Sequence, residues 1–210
     1  MNEPGKARHA SGTRLGWLVA LLAASVLLNY VDRGAIGIAA PKMKEELGFS
    51  ATEFGTGVSA FFWAYAPLCL VMGWLCDRFC VYRVFALGVA LWALSTVLTG
   101  FVSGLAALVV FRVGLGIGEA VSFPGSSKIF AAQVPAERRG IANAAVAAAI
   151  AFGPAVGSLA GGTILAAAGW RPIFWTFGLA TLLWLAPWQL VTRPLQDGTF
   201  GQPAAGRLDL

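Results

Sequence analysis

The amino-acid sequence predicts an all-α membrane protein with six transmembrane helices. Of the 210 residues, 58% are hydrophobic and only 12% are charged, whereas soluble domains carry about 25% charged residues. The mean hydropathy is +0.73, and apolar runs of about 20 residues, long enough to cross a bilayer, recur along the chain. We expect transmembrane helices at residues 15–39, 53–76, 84–102, 105–130, 140–168 and 172–191.

Polar segments flank these runs and divide the chain into three parts. We expect residues 1–14 to form a cytoplasmic polar leader, residues 15–191 the transmembrane bundle, and residues 192–210 a flexible cytoplasmic tail. Five apolar runs follow the first one, so the basic segment before it is not read as part of a signal peptide. The three cysteines, an odd number, favour packing roles over a disulfide framework. No residues have the spacing of a metal site.

The basic residues between the apolar runs predict the orientation of the chain. With a cytoplasmic amino terminus, nine basic residues fall inside and three fall outside, which fits the positive-inside rule. Both termini are then cytoplasmic, as expected for an integral plasma (inner) membrane protein. The net charge of +5 forms no dense run and therefore indicates no nucleic-acid partner. The inside residues are Lys6, Arg8, Arg14, Arg78, Arg83, Arg138, Arg139, Arg193 and Arg207, and the outside residues are Lys42, Lys44 and Arg171.

Two local patterns predict a helix start and a packing face. Ser50 and Glu53 have the spacing of a capping box, in which both side chains satisfy free backbone amides at a helix start. Gly153, Gly157 and Gly161 recur at intervals of four in the fifth run, which puts three small residues on one helix face. We interpret this glycine stripe as a surface for close packing against a neighbouring helix.

Four ionisable residues lie deep inside apolar runs: Asp32 and Arg33 in the first, Arg112 and Glu119 in the fourth. A charge at mid-membrane costs about 2.5 to 3.5 kcal/mol on insertion scales, so such residues normally face a partner or a cavity. The spacing permits Asp32 or Glu119 to pair with Arg112 while Arg33 faces a central space. Two interpretations remain open: a structural ion-pair network, or a proton relay beside an anion site.

Four motifs in the sequence resemble the major facilitator superfamily, and within it the anion:cation symporter family. The resemblance runs from about residue 17 to residue 191. It rests on residues 29–33 (NYVDR), on 73–78 (GWLCDR) with Arg83, on 112–119 (RVGLGIGE) followed by Phe123 and Pro124, and on 135–140 (PAERRG). It implies one half of a major facilitator fold, a three-plus-three inverted repeat of helices.

The resemblance also implies roles for individual residues. Asp32 and Glu119 would carry protons, Arg112 would couple them to the substrate, and protons would be the coupling ion, with no other cofactor. The implied substrate-binding residues are Arg33, Tyr30, Tyr65 and Asn29, and the implied cytoplasmic gating motif is Gly73, Asp77, Arg78 and Arg83.

The sequence departs from the family pattern at three points. Cys80 stands where glycine is usual and Tyr82 where a basic residue is usual, which predicts a weakened cytoplasmic latch. Residues 144–149 are only alanine and valine, which favours a less hydroxylated substrate, such as an aromatic or short carboxylate. The third departure is length, because the family has twelve helices in two halves.

These expectations lead to two hypotheses of function. The first is a secondary active transporter, a proton-coupled symporter of an organic carboxylate anion that needs a second six-helix half or forms a homodimer in the lipid bilayer. The alternative is a truncated or non-transporting membrane protein that keeps the motifs. We expect no enzyme, because the sequence has no nucleophile–base constellation and its single histidine, His9, lies in the polar leader.

Overall fold

The computed structural model describes residues 12–196, and these residues form a bundle of long helices. The predicted leader up to residue 11 and the tail from residue 197, with Lys6, Arg8, His9 and Arg207, lie outside this range. The helices are α1 (Gly12–Leu47), α2 (Ala51–Arg78), α3 (Val81–Thr99), α4 (Leu105–Glu119), α5 (Ser122–Gln133), α6 (Arg139–Ala168) and α7 (Arg171–Gln196), with a 3-10 turn at Ala136–Arg138.

Six helical spans within residues 12–196 are long and apolar enough to cross a membrane, and α4 and α5 together count as one of them. The prediction of six spans is therefore confirmed, although several ends differ. Helix α1 continues eight residues beyond the predicted end at 39, because Met43 is fully buried in the bundle. Helix α7 continues five residues beyond 191 into the predicted tail, because Thr192 and Leu195 also pack inside.

The predicted start of the second span is confirmed in detail. The Ser50 hydroxyl accepts a hydrogen bond from the Glu53 amide at 3.2 Å, and the Glu53 carboxylate accepts one from the Ser50 amide at 2.9 Å. Both bonds satisfy amides that have no partner within the helix. The capping box fixes the point at which α2 begins.

The fourth span is interrupted between α4 and α5, where the sequence predicted one helix over 105–130. The interruption lies at Ala120 and Val121, just after Glu119. Pro124 follows four residues after Ala120 and has no N–H to donate to the Ala120 carbonyl, so the helical hydrogen-bond ladder is broken there. Glu119 therefore occupies the last turn of α4.

The predicted glycine stripe packs α6 against α1. A Cβ atom added to Gly153 would lie 2.6 Å from Cβ of Tyr30, and one added to Gly157 would lie 3.1 Å from Cα of Val31. Real Cβ atoms essentially never approach within 3.0 Å, so Gly153 has no room for a side chain, and at Gly157 a Cβ would require α1 to shift by a few tenths of an ångström. The stripe thus holds the α1 segment that carries the charged residues close to α6.

Helix α4 lies between α2 and α3, and its glycines allow both contacts. A Cβ at Gly116 would clash with the Phe61 carbonyl of α2. A Cβ at Gly118 would lie 2.5 Å from the Trp92 amide nitrogen of α3. Neighbouring glycines thus let two helices approach Glu119 from opposite sides.

Two apolar clusters form the core, and the charged residues lie where the clusters meet. On α4, Leu115 belongs to one cluster and Leu108 to the other, and Arg112 lies between them. On α1, Leu22 belongs to the first cluster and Val31 to the second, and Asp32 directly follows Val31. The bundle therefore has a polar layer between two apolar halves, within the spans.

Candidate functional site

The site is centred on an ion pair between α1 and α4. The Arg33 Nε donates to Glu119 Oε2 at 2.8 Å. The Glu119 side chain is fully buried, whereas 25% of the Arg33 side chain is exposed. Arg33 is therefore the member of the pair that a molecule outside the bundle can reach.

Three aromatic rings surround the Arg33 guanidinium. Its central carbon lies 4.6 Å from the Tyr65 ring centre, 5.1 Å from that of Phe61 and 5.3 Å from that of Tyr30. The face of an aromatic ring attracts a cation at these distances. The Tyr65 side chain also forms a hydrogen bond with the guanidinium, whereas Arg33 Nη2 has no hydrogen-bond partner among residues 12–196, which leaves a donor for an anion.

Asp32 lies next to Arg33 in the chain but contacts a different helix. Its Oδ2 accepts a hydrogen bond from Trp92 Nε1 at 2.5 Å and one from Thr96 Oγ1 at 3.4 Å, both on α3. The residue is only 2% exposed. Successive helical residues point about 100° apart, so Asp32 meets α3 while Arg33 meets α4.

Arg112 is buried inside the same layer with 4% of its surface exposed. Its guanidinium carbon lies 5.9 Å from the centre of the Phe61 ring. The Nε has no hydrogen-bond partner among residues 12–196. Arg112 therefore compensates the buried carboxylates by its charge at a distance, without a direct ion pair in this part of the chain.

This pairing corrects the arrangement expected from the sequence. Arg33 pairs with Glu119, whereas the spacing in the sequence also permitted Arg112 to pair with a carboxylate while Arg33 faced a central space. Glu119, in the last turn of α4, lies within reach of Arg33, whereas Arg112 lies almost two turns earlier and its Nε has no partner among residues 12–196.

The other predicted site residues are divided between the surface and the interior. Tyr30 and Tyr65 are partly exposed and adjoin Arg33, but Asn29 is fully buried beside the Glu119 carboxyl group. Sequence reasoning missed Trp92 and Thr96. Their spacing of four places both on one face of α3. Two hydrogen-bond donors on one face of an apolar span are the signal that could have identified them.

The predicted gating motif, at the end of α2 and the start of α3, contains a contact that the sequence did not predict. Lys128 of α5 donates to Asp77 Oδ1 at 2.7 Å and also to the Cys76 carbonyl. Arg83 donates to Gln196 Oε1 at 3.2 Å, which ties the motif to the end of α7. Gly73 and Arg78 lie on the last turns of α2, and Arg78 is exposed.

Comparison with known proteins decides the family. The sequence profile of the Major Facilitator Superfamily matches residues 22–207. The chain belongs to the Major Facilitator Superfamily.

Several curated major facilitators are more than 30% identical to this chain. One is the "Probable sulfoacetate transporter SauU" of Cupriavidus necator, 34% identical over 184 residues, which cover 88% of this chain and 41% of that protein. Another is the "Probable galactarate/D-glucarate transporter GudP" of Escherichia coli, 35% identical over 179 residues, which cover 80% of this chain and 40% of that protein. The chain thus spans about two fifths of the length of these relatives.

Solved structures of major facilitators share the fold. A bacterial homologue of the human lysosomal transporter Spinster, in an inward-facing and unoccupied conformation, superimposes with a TM-score of 0.80 at 23% identity. The match covers 88% of this chain and 44% of that one. The six spans therefore correspond to one half of a major facilitator transporter, and the chain is an integral membrane protein.

Proposed function

We propose that this chain forms one six-helix half of a secondary active transporter that carries an organic carboxylate anion together with protons. The observation that carries the proposal is the Arg33–Glu119 ion pair, in which an accessible arginine is held by a buried carboxylate. A planar guanidinium binds a carboxylate through parallel hydrogen bonds. Arg33 is accordingly the proposed anion-binding residue, with Tyr30 and Tyr65 as neighbours on the substrate side.

The same ion pair suggests how proton binding and anion binding are coupled. Glu119 and a substrate carboxylate compete for one guanidinium. Protonation of Glu119 removes the charge that holds Arg33, so Arg33 becomes free to bind the anion. Asp32 and Arg112 share the polar layer and are proposed as the second proton site and as a fixed charge that balances it. Each transported anion would then enter with at least one proton.

We propose that a groove between α1 and α6, which Arg33 and Glu119 do not line, forms a wall of the anion path and favours a small anion with few hydroxyl groups. A cavity of about 390 Å3 between α1 and α6 is lined mainly by Ala23, Ala24, Leu27, Ala145, Ala148 and Phe152. None of these side chains donates a hydrogen bond. A short carboxylate such as sulfoacetate, the substrate in the name of one relative, fits these walls better than a polyhydroxylated sugar acid.

The exposed apolar surface supports a second half as partner. Helices α2 and α6 are the least buried of the six spans. Large apolar side chains on them are exposed, among them Phe62, Trp63 and Leu70 on α2 and Phe152 and Leu159 on α6. We propose that these faces are covered by lipid and by a second six-helix half or a second copy of this chain. We also propose that the chain lies in a plasma (inner) membrane with both termini on the cytoplasmic side.

Uptake into proteoliposomes tests this function. The chain is reconstituted alone and with a second six-helix half taken from the Cupriavidus necator relative. Labelled sulfoacetate, glucarate and benzoate are then supplied with and without an inward proton gradient. We expect accumulation of the short carboxylate that requires the second half and disappears with a protonophore. Uptake at the same rate with and without the proton gradient would contradict proton coupling. No uptake of any anion, with the insertion of both halves verified, would instead favour the non-transporting alternative.

A further inference from the structure

We propose that Trp92 of α3 is a positioning residue for the Asp32 carboxylate and makes α3 part of the proton-coupling machinery. The inference rests on the proposed function, and it concerns a residue that neither the motifs nor the family resemblance singles out. Asp32 has no ion-pair partner in residues 12–196, and its hydrogen bonds come from Trp92 and Thr96. In its charged form this carboxylate thus depends on neutral donors from one helix.

The indole of Trp92 is fixed in position. Trp92 is fully buried and is among the largest side chains with no exposed surface. Its backbone lies against Gly118 of α4, where an added Cβ would stand 2.5 Å from the Trp92 amide nitrogen and 2.6 Å from the Gly88 carbonyl oxygen. The backbone of Trp92 is therefore held against α4, and its buried ring has little room to follow Asp32 if α1 moves. Trp92 Nε1 is thus a hydrogen-bond donor at a fixed position beside Asp32.

The two proposed proton sites, Asp32 and Glu119, contact different helices but are linked through the adjacent residues Asp32 and Arg33. Asp32 is held by α3, and Arg33, the next residue, is held by Glu119 of α4. The charged groups that act on Asp32 from α4 are Glu119 and Arg112. When Asp32 is charged it accepts the bond from Trp92, and when it is protonated that bond weakens. The charge on Asp32 then sets how firmly α1 is attached to α3.

Another tryptophan provides a matched control. Trp184 of α7 is also buried and also donates its Nε1 to α1, but its acceptor is the backbone carbonyl of Leu21 at 3.0 Å. Trp92→Phe and Trp184→Phe therefore remove the same donor and a similar volume from two contacts with one helix. Only the first contact involves a titratable group.

The test compares both variants in the assembly used for uptake. For Trp92→Phe we expect at least a tenfold loss of proton-driven accumulation, with anion exchange in the absence of a gradient kept within twofold. For Trp184→Phe we expect both activities to fall together or not at all. Parallel loss of exchange and accumulation in Trp92→Phe would overturn the proposal, and so would unchanged accumulation.

A spectroscopic measurement keeps this inference separate from the proposed function. Infrared difference spectra, with the Asp32 band assigned from Asp32→Asn, should show that band displaced in Trp92→Phe and unchanged in Trp184→Phe. If Trp92→Phe fails to insert, benzothienylalanine at position 92 keeps the ring and removes only the N–H. An unmoved band overturns the inference whatever the transport result. If wild type shows no proton-driven uptake, the proposed function fails, and the band alone decides whether Trp92 holds Asp32.

Discussion

Replacing Glu119 by Gln separates anion binding from proton coupling. The substitution keeps the side-chain shape and one acceptor oxygen but removes the charge that competes with the substrate for Arg33. A hydrogen bond to a charged group contributes about 1.5 to 3 kcal/mol. Because 25% of the Arg33 side chain is exposed, water offsets part of this, and we take about 1 to 2 kcal/mol. We therefore expect anion binding to be tighter by roughly 5- to 30-fold.

The same variant should lose accumulation against a gradient. In wild type, an inward gradient of one pH unit sustains about tenfold accumulation for each coupled proton. A glutamine cannot titrate, so the accumulation ratio should fall toward one while exchange continues. Binding is measured as the half-saturating concentration in counterflow, and accumulation as the steady-state ratio in proteoliposomes.

A matched carboxylate serves as control for this experiment. Glu137 lies in the exposed turn before α6, so Glu137→Gln should change neither quantity by more than twofold. If Glu119→Gln bound the anion more weakly than wild type and still accumulated it, competition for Arg33 would be the wrong mechanism. All four intramembrane charges would then be better explained as a structural network.

Three further predictions concern binding, packing and topology. Arg33→Lys should weaken anion binding by at least tenfold, because an ammonium group cannot make two parallel hydrogen bonds to a carboxylate; the same counterflow assay measures it. Gly153→Ala should lower the melting temperature in detergent by about 4 to 8 °C, since the clash at the α1–α6 contact costs roughly 2 kcal/mol, whereas Gly162→Ala, which has open space around it, should not. In a background without the native cysteines, Glu45→Cys should react with an impermeant reagent from outside the cell and Glu137→Cys should not.

Each of these predictions has a contradicting outcome. Unchanged affinity in Arg33→Lys would remove Arg33 from the anion site. Equal melting temperatures for the two glycine variants would mean that the α1–α6 contact is looser than described. Labelling of position 45 only after the membrane is opened would reverse the orientation of the chain.

The number of spans could be predicted because their length and composition follow from bilayer thickness. The capping box at Ser50 and the glycine stripe could be predicted because both depend on residues a few positions apart. Capping hydrogen bonds and the residues that share a helix face are determined locally. The structure contains the cap and the close-packed glycine face where the sequence indicated them.

The pairing of the charges could not be predicted, because it depends on how helices far apart in the chain meet. Asp32 and Trp92 are 60 positions apart, and Arg33 and Glu119 are 86 positions apart. Helical periodicity gives the face of each side chain but not which helix lies opposite it. The interruption after Glu119 has a different, local cause: Pro124 lacks the N–H that would continue the helical hydrogen-bond ladder.

That interruption gives α5 the properties of a lever. Glu119 lies just before the break at Ala120 and Val121, and Lys128, which contacts Asp77, lies in the middle of α5. At a helical rise of 1.5 Å per residue, the arm from the break to Lys128 is about 11 Å long. A rotation of about 10° at the break would move Lys128 by roughly 2 Å, enough to separate it from Asp77. A small displacement beside the buried carboxylate would thereby be transmitted to the contact between Lys128 and Asp77.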